Sequence, residues 1–153
     1  MFVFHIAGHD SSSATIGYTL FELTKNIELM KRARDDIKST MEKYDGELTY
    51  ESIMDMKFID LCVKETLRKY PILAMLNREC TKDYNIPGSS IVIEKGTSIV
   101  ISVMGLHRNK DFFPRPEVYD PDRFTDEKRA CDEEVYMPFG LGPRNCLGML
   151  FLI

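Results

Sequence analysis

The run Phe139, Gly140, Leu141, Gly142, Pro143, Arg144, Asn145, Cys146, Leu147, Gly148 is built to hold a metal through one sulfur. Two glycines and a proline before the cysteine permit a tight loop whose backbone approaches a ligand closely, because glycine reaches backbone angles closed to other residues. The chain after Cys146 is apolar and compatible with a helix, so the cysteine is expected at a helix N-terminus. There, unpaired N–H groups and the positive end of the dipole stabilise a thiolate, the form that binds metal. Arg144 adds a cation two residues earlier. The plainer alternative is a structural cysteine in a surface turn, and the rest of the chain supplies the context that decides.

Two other groups carry chemical potential. Glu65 and Arg68 stand at i and i+3 on a helical stretch, close enough to pair, a contact worth only about 0.2–0.5 kcal/mol on an exposed helix. Ala7, Gly8, His9, Asp10 and Ser11 join small residues to an acid and an alcohol; taken alone they read as a small-residue packing site. His5 and His9 could share a helix face, but Ile6 stands where a zinc protease carries its catalytic glutamate, so ordinary helix histidines are expected.

The elements that must position these residues follow from pattern. A long helix is expected over 2–25, weakened at its centre by Gly8, which costs up to about 1 kcal/mol against alanine, and by the hydroxyls Ser11, Ser12 and Ser13, which compete for backbone bonds. Such a centre suggests a bulge or kink. Asn26 caps a second helix ending near Tyr44 and stopped by Asp45 and Gly46. Thr49 opens a short helix, and a longer one runs from about Asp55 to Tyr70, burying Ile59, Cys62, Val63, Thr66, Leu67 and Tyr70. Short strands follow to Val103, with turns at 86–90 and 94–96. From Asn109 to Asn145 there is no sustained period but many prolines and aromatics, which argue for a packed irregular segment; 125–134 is expected to be a solvated excursion.

The 153 residues are 44% hydrophobic with a net charge of -4, which suits a globular protein and offers no basic field for nucleic acid. Cys62, Cys80, Cys131 and Cys146 are widely and irregularly spaced, suggesting neither a zinc site nor a disulfide framework and fitting a reduced, cytosol-facing environment. The apolar start, Met1 to Ile6, falls far short of the ~20 residues that span a bilayer.

Phe139, Gly142, Arg144, Cys146 and Gly148 fill the pattern Phe-x-x-Gly-x-Arg-x-Cys-x-Gly, which resembles the haem-binding loop of the cytochrome P450 superfamily. Ala7 to Ser11 is similar to that family's distal-helix motif, with Ser11 where threonine is commoner. Glu65-x-x-Arg68 and Arg123, within Pro121, Asp122, Arg123, Phe124, match two further fingerprints. Residues 77–83 and 105–108 look most like insect microsomal members that act on xenobiotics.

The resemblance implies a mainly α fold with a small β-sheet: distal helix, Glu-x-x-Arg helix, sheet, meander and cysteine loop. Residues 1–153 would be the C-terminal, haem-binding part of a single larger domain. Cys146 would be the sole protein ligand to the iron of haem b, with Arg144 and Arg78 on the propionates and Phe139 beside the sulfur. For Arg78 a strand-edge surface charge is the competing reading. Ala7 and Gly8 would leave room over the haem, and Asp10 and Ser11 would deliver protons to the oxygen under activation. Glu65, Arg68 and Arg123 would form a buried charge cluster that is structural rather than catalytic. Ile72, Leu73, Ala74 and Leu76 would line the substrate cavity.

The implied reaction inserts one atom of O₂ into an apolar small molecule, with electrons from an NADPH-dependent reductase. The implied location is the cytosolic face of the endoplasmic reticulum membrane, reached through an N-terminal part that this chain lacks. Leu150 and Leu152 depart from the arginine and glycine expected in close insect relatives. Two alternatives stand beside this reading. One is a peroxide-rearranging isomerase of the same superfamily, which the Asp10 and Ser11 pair speaks against. The other is a noncatalytic truncated product or haem-binding module, favoured for the isolated 153 residues, which are expected to catalyse nothing.

Overall fold

A computed structural model describes residues 2–125 and 134–149. Nine elements follow in order: α1 Phe2–Lys25, α2 Ile27–Lys43, α3 Tyr50–Asp55, α4 Lys57–Lys69, β1 Met75–Glu79, β2 Tyr84–Asn85, β3 Val92–Ile93, β4 Ser98–Ser102 and α5 Val103–His107. Two 3-10 turns, Pro121–Phe124 and Gly142–Arg144, punctuate the irregular remainder. The fold is mainly helical with a small antiparallel region, as the sequence pattern implies. Cys131 and most of the 125–134 excursion, together with Leu150 and Leu152, lie outside the described residues.

Helix boundaries have local causes. Asn26 accepts from the Leu29 N–H at 3.2 Å and starts α2. Asp45 and Gly46, at φ 52° and 81°, turn the chain out of it in the left-handed region. Thr49 and Ser52 form a reciprocal capping box on α3. Helix α4 has no cap of its own: Met56 makes no side-chain bond there. Instead Asp36, in α2, accepts from the Phe58 and Ile59 amides at 2.8 and 3.1 Å and brings a carboxylate to the positive end of the α4 dipole.

The expected bulge near Gly8 is absent, and α1 is α-helical throughout. The hydroxyls that were to compete with the helix bond back to it instead: Ser11 donates to the Ala7 carbonyl at 2.6 Å and Thr15 to the Ser11 carbonyl at 2.9 Å. Val103, expected in a strand, opens α5, because the Ser102 hydroxyl accepts from the Gly105 N–H and caps a helix at that point.

Helix α4 is the central post. Leu23, Ala33, Phe58 and Cys62 form the apolar core where α1, α2 and α4 meet. Much of the docking is polar: Thr19 bonds Thr66 at 2.9 Å, Lys69 donates to Glu22 at 3.0 Å, and Tyr18 stacks flat on Tyr70 with centroids 4.4 Å apart. Burial alone would raise the Glu22 carboxyl, but the Tyr70 hydroxyl and Lys69 bonded to it bring it below the usual range. Other apolar residues of α1 point elsewhere. Phe4, Ile16 and Leu20 are 70%, 61% and 57% exposed, and Ile16 and Leu20 line a groove of about 580 Å³ beside Met30, Ile37 and Val63.

The sheet region is a hairpin within a hairpin. β1 pairs β4 from Met75↔Ser102 to Glu79↔Ser98, and β2 pairs β3. Leu76, Arg78, Ile99 and Ile101 form the half-buried face of the outer pair, while Met75, Asn77, Val100 and their neighbours face out.

Asp36→Ala removes a cap contributed from another helix and is expected to destabilise the fold by about 1–2 kcal/mol. Asp36→Asn, which keeps an acceptor, should lose less than half of that in urea denaturation.

Candidate haem-thiolate site

The Glu65 and Arg68 pair is wholly buried, each residue 0% exposed. Arg68 grips Glu65 through two parallel bonds, Nε to Oε2 at 2.7 Å and Nη2 to Oε1 at 2.9 Å. Its remaining reach goes to backbone: Nη1 to the His107 carbonyl at 2.8 Å and Nη2 to the Pro116 carbonyl at 2.7 Å. Glu65 Oε1 also accepts from the Asp120 N–H at 2.9 Å and from Arg123 Nε at 3.3 Å. Arg123 in turn donates to the carbonyls of Pro114, Arg115 and Val118. Arg115 is held at φ 51°, uncommon for a side chain of its size, with its carbonyl accepting from Val118 and Arg123. Among the described residues no buried side-chain polar atom lacks a partner.

One carboxylate and two guanidinium groups thus organise the irregular segment from His107 to Arg123. Other ties reinforce them. Tyr119 donates to the Cys62 carbonyl at 2.7 Å, and Arg32 holds Asp122 through bonds of 3.0 and 2.8 Å while lying over the Phe58 ring.

His107 sits at the end of this network and carries a role that the sequence pattern did not reveal. It is 0% exposed, edge-on to Phe113 and stacked against Tyr136. The Met137 N–H donates to its Nε2 at 3.1 Å, so that nitrogen must be unprotonated; Nδ1 then carries the hydrogen and donates to the Arg68 carbonyl at 3.2 Å. Burial drives its pKa down to about 4, against the pull of the Arg68 carbonyl and with help from the Arg68 charge. Its partners lie 39 and 30 residues away in sequence, beyond the reach of any local period.

Met137 begins the cysteine loop. Gly140 N–H bonds the Met137 carbonyl at 3.0 Å, Asn145 N–H the Gly142 carbonyl at 3.1 Å, and Cys146 N–H the Phe139 carbonyl at 2.9 Å. Gly140 and Gly142 adopt φ of 73° and 76°, where any larger residue would be strained. Phe139 is half-buried, and Arg144 and Cys146 are exposed. A Cβ on Gly148 would sit 3.9 Å from the Cys146 sulfur, so the glycine leaves that side of the sulfur open. The helix expected after Cys146 falls largely on residues outside those described. Cys62, by contrast, is fully buried and its thiol is pushed up to about 12 by burial.

A Cβ on Gly140 would meet Leu76 Cδ1 at 3.7 Å, so the loop abuts the half-buried face of β1 that also carries Arg78. Arg78 donates only to its neighbour's carbonyl, Asn77, and among the described residues neither Arg78 nor Arg144 has a carboxylate partner. Ile72 and Leu73 are exposed, with Ala74 and Leu76 half-buried beside them. On α1, Ala7, Gly8 and Ser11 share a side by helical spacing, and nothing lies within 4 Å of a Cβ built on Gly8. Asp10 is exposed and bonded to His9 Nδ1 at 3.1 Å. The His5 and His9 rings stack at 6.3 Å, and among the described residues no three His, Cys, Asp or Glu side chains gather to hold a metal ion.

A family model described as Cytochrome P450 matches residues 1–151. The chain belongs to the cytochrome P450 family. It corresponds to the C-terminal part of the P450 fold and is similar to insect members. It is 47% identical over 148 residues to "Probable cytochrome P450 6d5" of Drosophila melanogaster, covering 97% of this chain and 29% of that protein. Identity is 49% over 146 residues to "Probable cytochrome P450 6d4" of the same species, covering 95% and 28%. It is 46% over 150 residues to "Cytochrome P450 6d1" of Musca domestica, covering 95% and 29%. The chain therefore spans less than a third of the length of these curated P450 relatives.

Glu65→Ala leaves two buried guanidinium groups without their carboxylate and is expected to destabilise the fold by several kcal/mol, about 3–5. Denaturant unfolding checks this, and a loss under 1 kcal/mol would contradict the geometry. For His107 the unfolded group titrates near 6.5 and the folded one near 4, so its contribution is complete above pH 6.5 and is lost as pH falls toward 4. The loss is on the order of 3 kcal/mol. Stability measured against pH should be correspondingly flatter over that window in His107→Gln.

Proposed function

We infer that this chain is the haem-binding part of a haem-thiolate monooxygenase. The observation that carries the reading is the glycine-permitted loop that offers an exposed Cys146 thiol while its base is tied to a buried charge network. The donor set fits a haem. Among the described residues, one sulfur without companion ligands suits a metal whose remaining positions a macrocycle would fill, and two guanidinium groups without carboxylate partners suit two propionates.

Cys146 would bind the iron of haem b, Arg144 and Arg78 would pair with the propionates, and Phe139 would shield the sulfur from water. When bound, haem supplies O₂ chemistry in which thiolate donation favours O–O cleavage, an example general to this family. The chain's own residues supply the surroundings. Ala7 and Gly8 keep side-chain bulk off the distal face. Ser11, its hydroxyl held against the Ala7 carbonyl, and the exposed Asp10 immediately before it would relay protons toward the distal face. Ile72, Leu73, Ala74 and Leu76 present apolar surface to an apolar small molecule, and the low polarity there favours xenobiotic, fatty-acid or steroid-like substrates.

Electrons would come from an NADPH-dependent reductase. No helix among the described residues is long and apolar enough to cross a membrane, so attachment to the endoplasmic reticulum would depend on other parts of a longer protein. The exposed apolar residues of α1 and the short share of the relatives' length support a chain that is inactive as these 153 residues alone.

In a full-length protein carrying this sequence, the reduced, carbon-monoxide-bound spectrum should show the red-shifted Soret band of thiolate ligation, and Cys146→Ala should abolish it. A full-length protein that takes up haem without that band contradicts the reading. Ser11→Ala should lower product formed per reducing equivalent while substrate affinity holds; an unchanged yield removes Ser11 from the proton path.

A further inference from the structure

His107 joins three parts of the molecule: α4, the end of α5 and the entry to the cysteine loop. Its Nδ1–H donates to the Arg68 carbonyl at the end of α4, and its own carbonyl accepts from Arg68 Nη1, so the two residues clamp each other reciprocally. Its free nitrogen accepts the Met137 N–H, and from Met137 the bonds run on without a gap: Gly140 to the Met137 carbonyl, then Cys146 to the Phe139 carbonyl. Beside it, Tyr136 stacks on the imidazole and donates its hydroxyl to the Lys64 carbonyl at 2.9 Å, so the segment entering the loop meets α4 once directly and once through His107.

We propose that His107 is a positioning residue for the thiolate: it carries the fixed geometry of the buried Glu65 and Arg68 pair to the loop and so sets where the Cys146 sulfur stands. The inference rests on the haem-thiolate reading for its consequence, but its structural content is a property of the chain itself.

The chemistry explains why histidine serves. The position needs one donor and one acceptor about a ring's width apart, rigidly linked and uncharged, and a neutral imidazole supplies both. Side chains that mimic one nitrogen at a time separate the two duties. In His107→Asn the amide nitrogen is placed to keep the donation to the Arg68 carbonyl, and nothing reaches Met137. In His107→Gln the longer side chain carries its oxygen toward the Nε2 position and keeps the acceptor for Met137.

The test uses the full-length protein, with amide hydrogen exchange and the reduced, carbon-monoxide-bound spectrum as readouts. In His107→Asn, exchange at Met137, Gly140 and Cys146 should quicken about fivefold or more, the loss of one buried hydrogen bond, with α4 amides unchanged. The thiolate band should weaken in parallel. His107→Gln should keep parental exchange in the loop and retain the band. Equal behaviour of the two variants in the loop, or an Asn variant with parental loop exchange and band, overturns the proposal.

Should His107→Asn fail to fold, His107→Gln still decides: loop protection kept supports the inference, and loop protection lost defeats it. A parent protein lacking the thiolate band but showing His107-dependent loop exchange would sink the haem reading and leave this inference standing. A parent with the band and no such dependence would do the reverse.

Discussion

A carboxylate taken fully out of water must be matched bond for bond, and in this chain that demand shapes everything around Glu65. Its two oxygens take two bonds from Arg68, one from Arg123 and one from the Asp120 backbone. The two arginines spend their remaining donors on carbonyls of residues 107–118, a stretch with no regular hydrogen bonding of its own. Five carbonyls of this irregular segment, those of His107, Pro114, Arg115, Pro116 and Val118, are thereby fixed by cationic donors. Buried ion pairs seldom add net stability over a well-packed apolar alternative. What this one contributes is geometry: it gives an otherwise patternless region one conformation.

The parts that can be read from sequence are those whose physics is local. Asn26 at a helix start, Asp45 and Gly46 at its end, Thr49 opening α3, and the turns at Gly88 and Gly96 are each decided by a few neighbouring residues, and each stands where the pattern puts it. The hydroxyl run after Gly8 misleads because a serine side chain has two local options, and here it bonds back along the helix rather than breaking it. Val103 misleads because β-branched residues favour strands, whereas the preceding Ser102 supplies a helix cap. Asp36 and His107 escape notice for a different reason. Each acts across more than twenty residues on backbone amides, which leave no trace in side-chain periodicity.

The site divides along the same line. The loop's backbone geometry is legible, since two glycines in the left-handed region are a local statement. What the sequence pattern could not supply is the path by which the loop is held, from α4 through His107 to Met137, nor that Arg78 shares a face with Leu76 against Gly140. On the other side, α1 meets α4 through threonines, Glu22 and stacked tyrosines, while Phe4, Ile16 and Leu20 stay exposed. One helix, α4, is therefore the common reference for both the Gly8 helix and the cysteine loop.

The charge cluster supplies geometry rather than stability, and that is open to direct test. The direct measurement replaces all three members by apolar residues of similar size, Glu65→Leu with Arg68→Met and Arg123→Met, in the full-length protein, and reads both unfolding free energy and amide exchange in the cysteine loop. The expected result is a fold that keeps α1, α2 and α4 and loses little stability in that helical unit, with the protection of the Met137, Gly140 and Cys146 amides gone. A triple variant whose loop amides remain as protected as in the parent would contradict it.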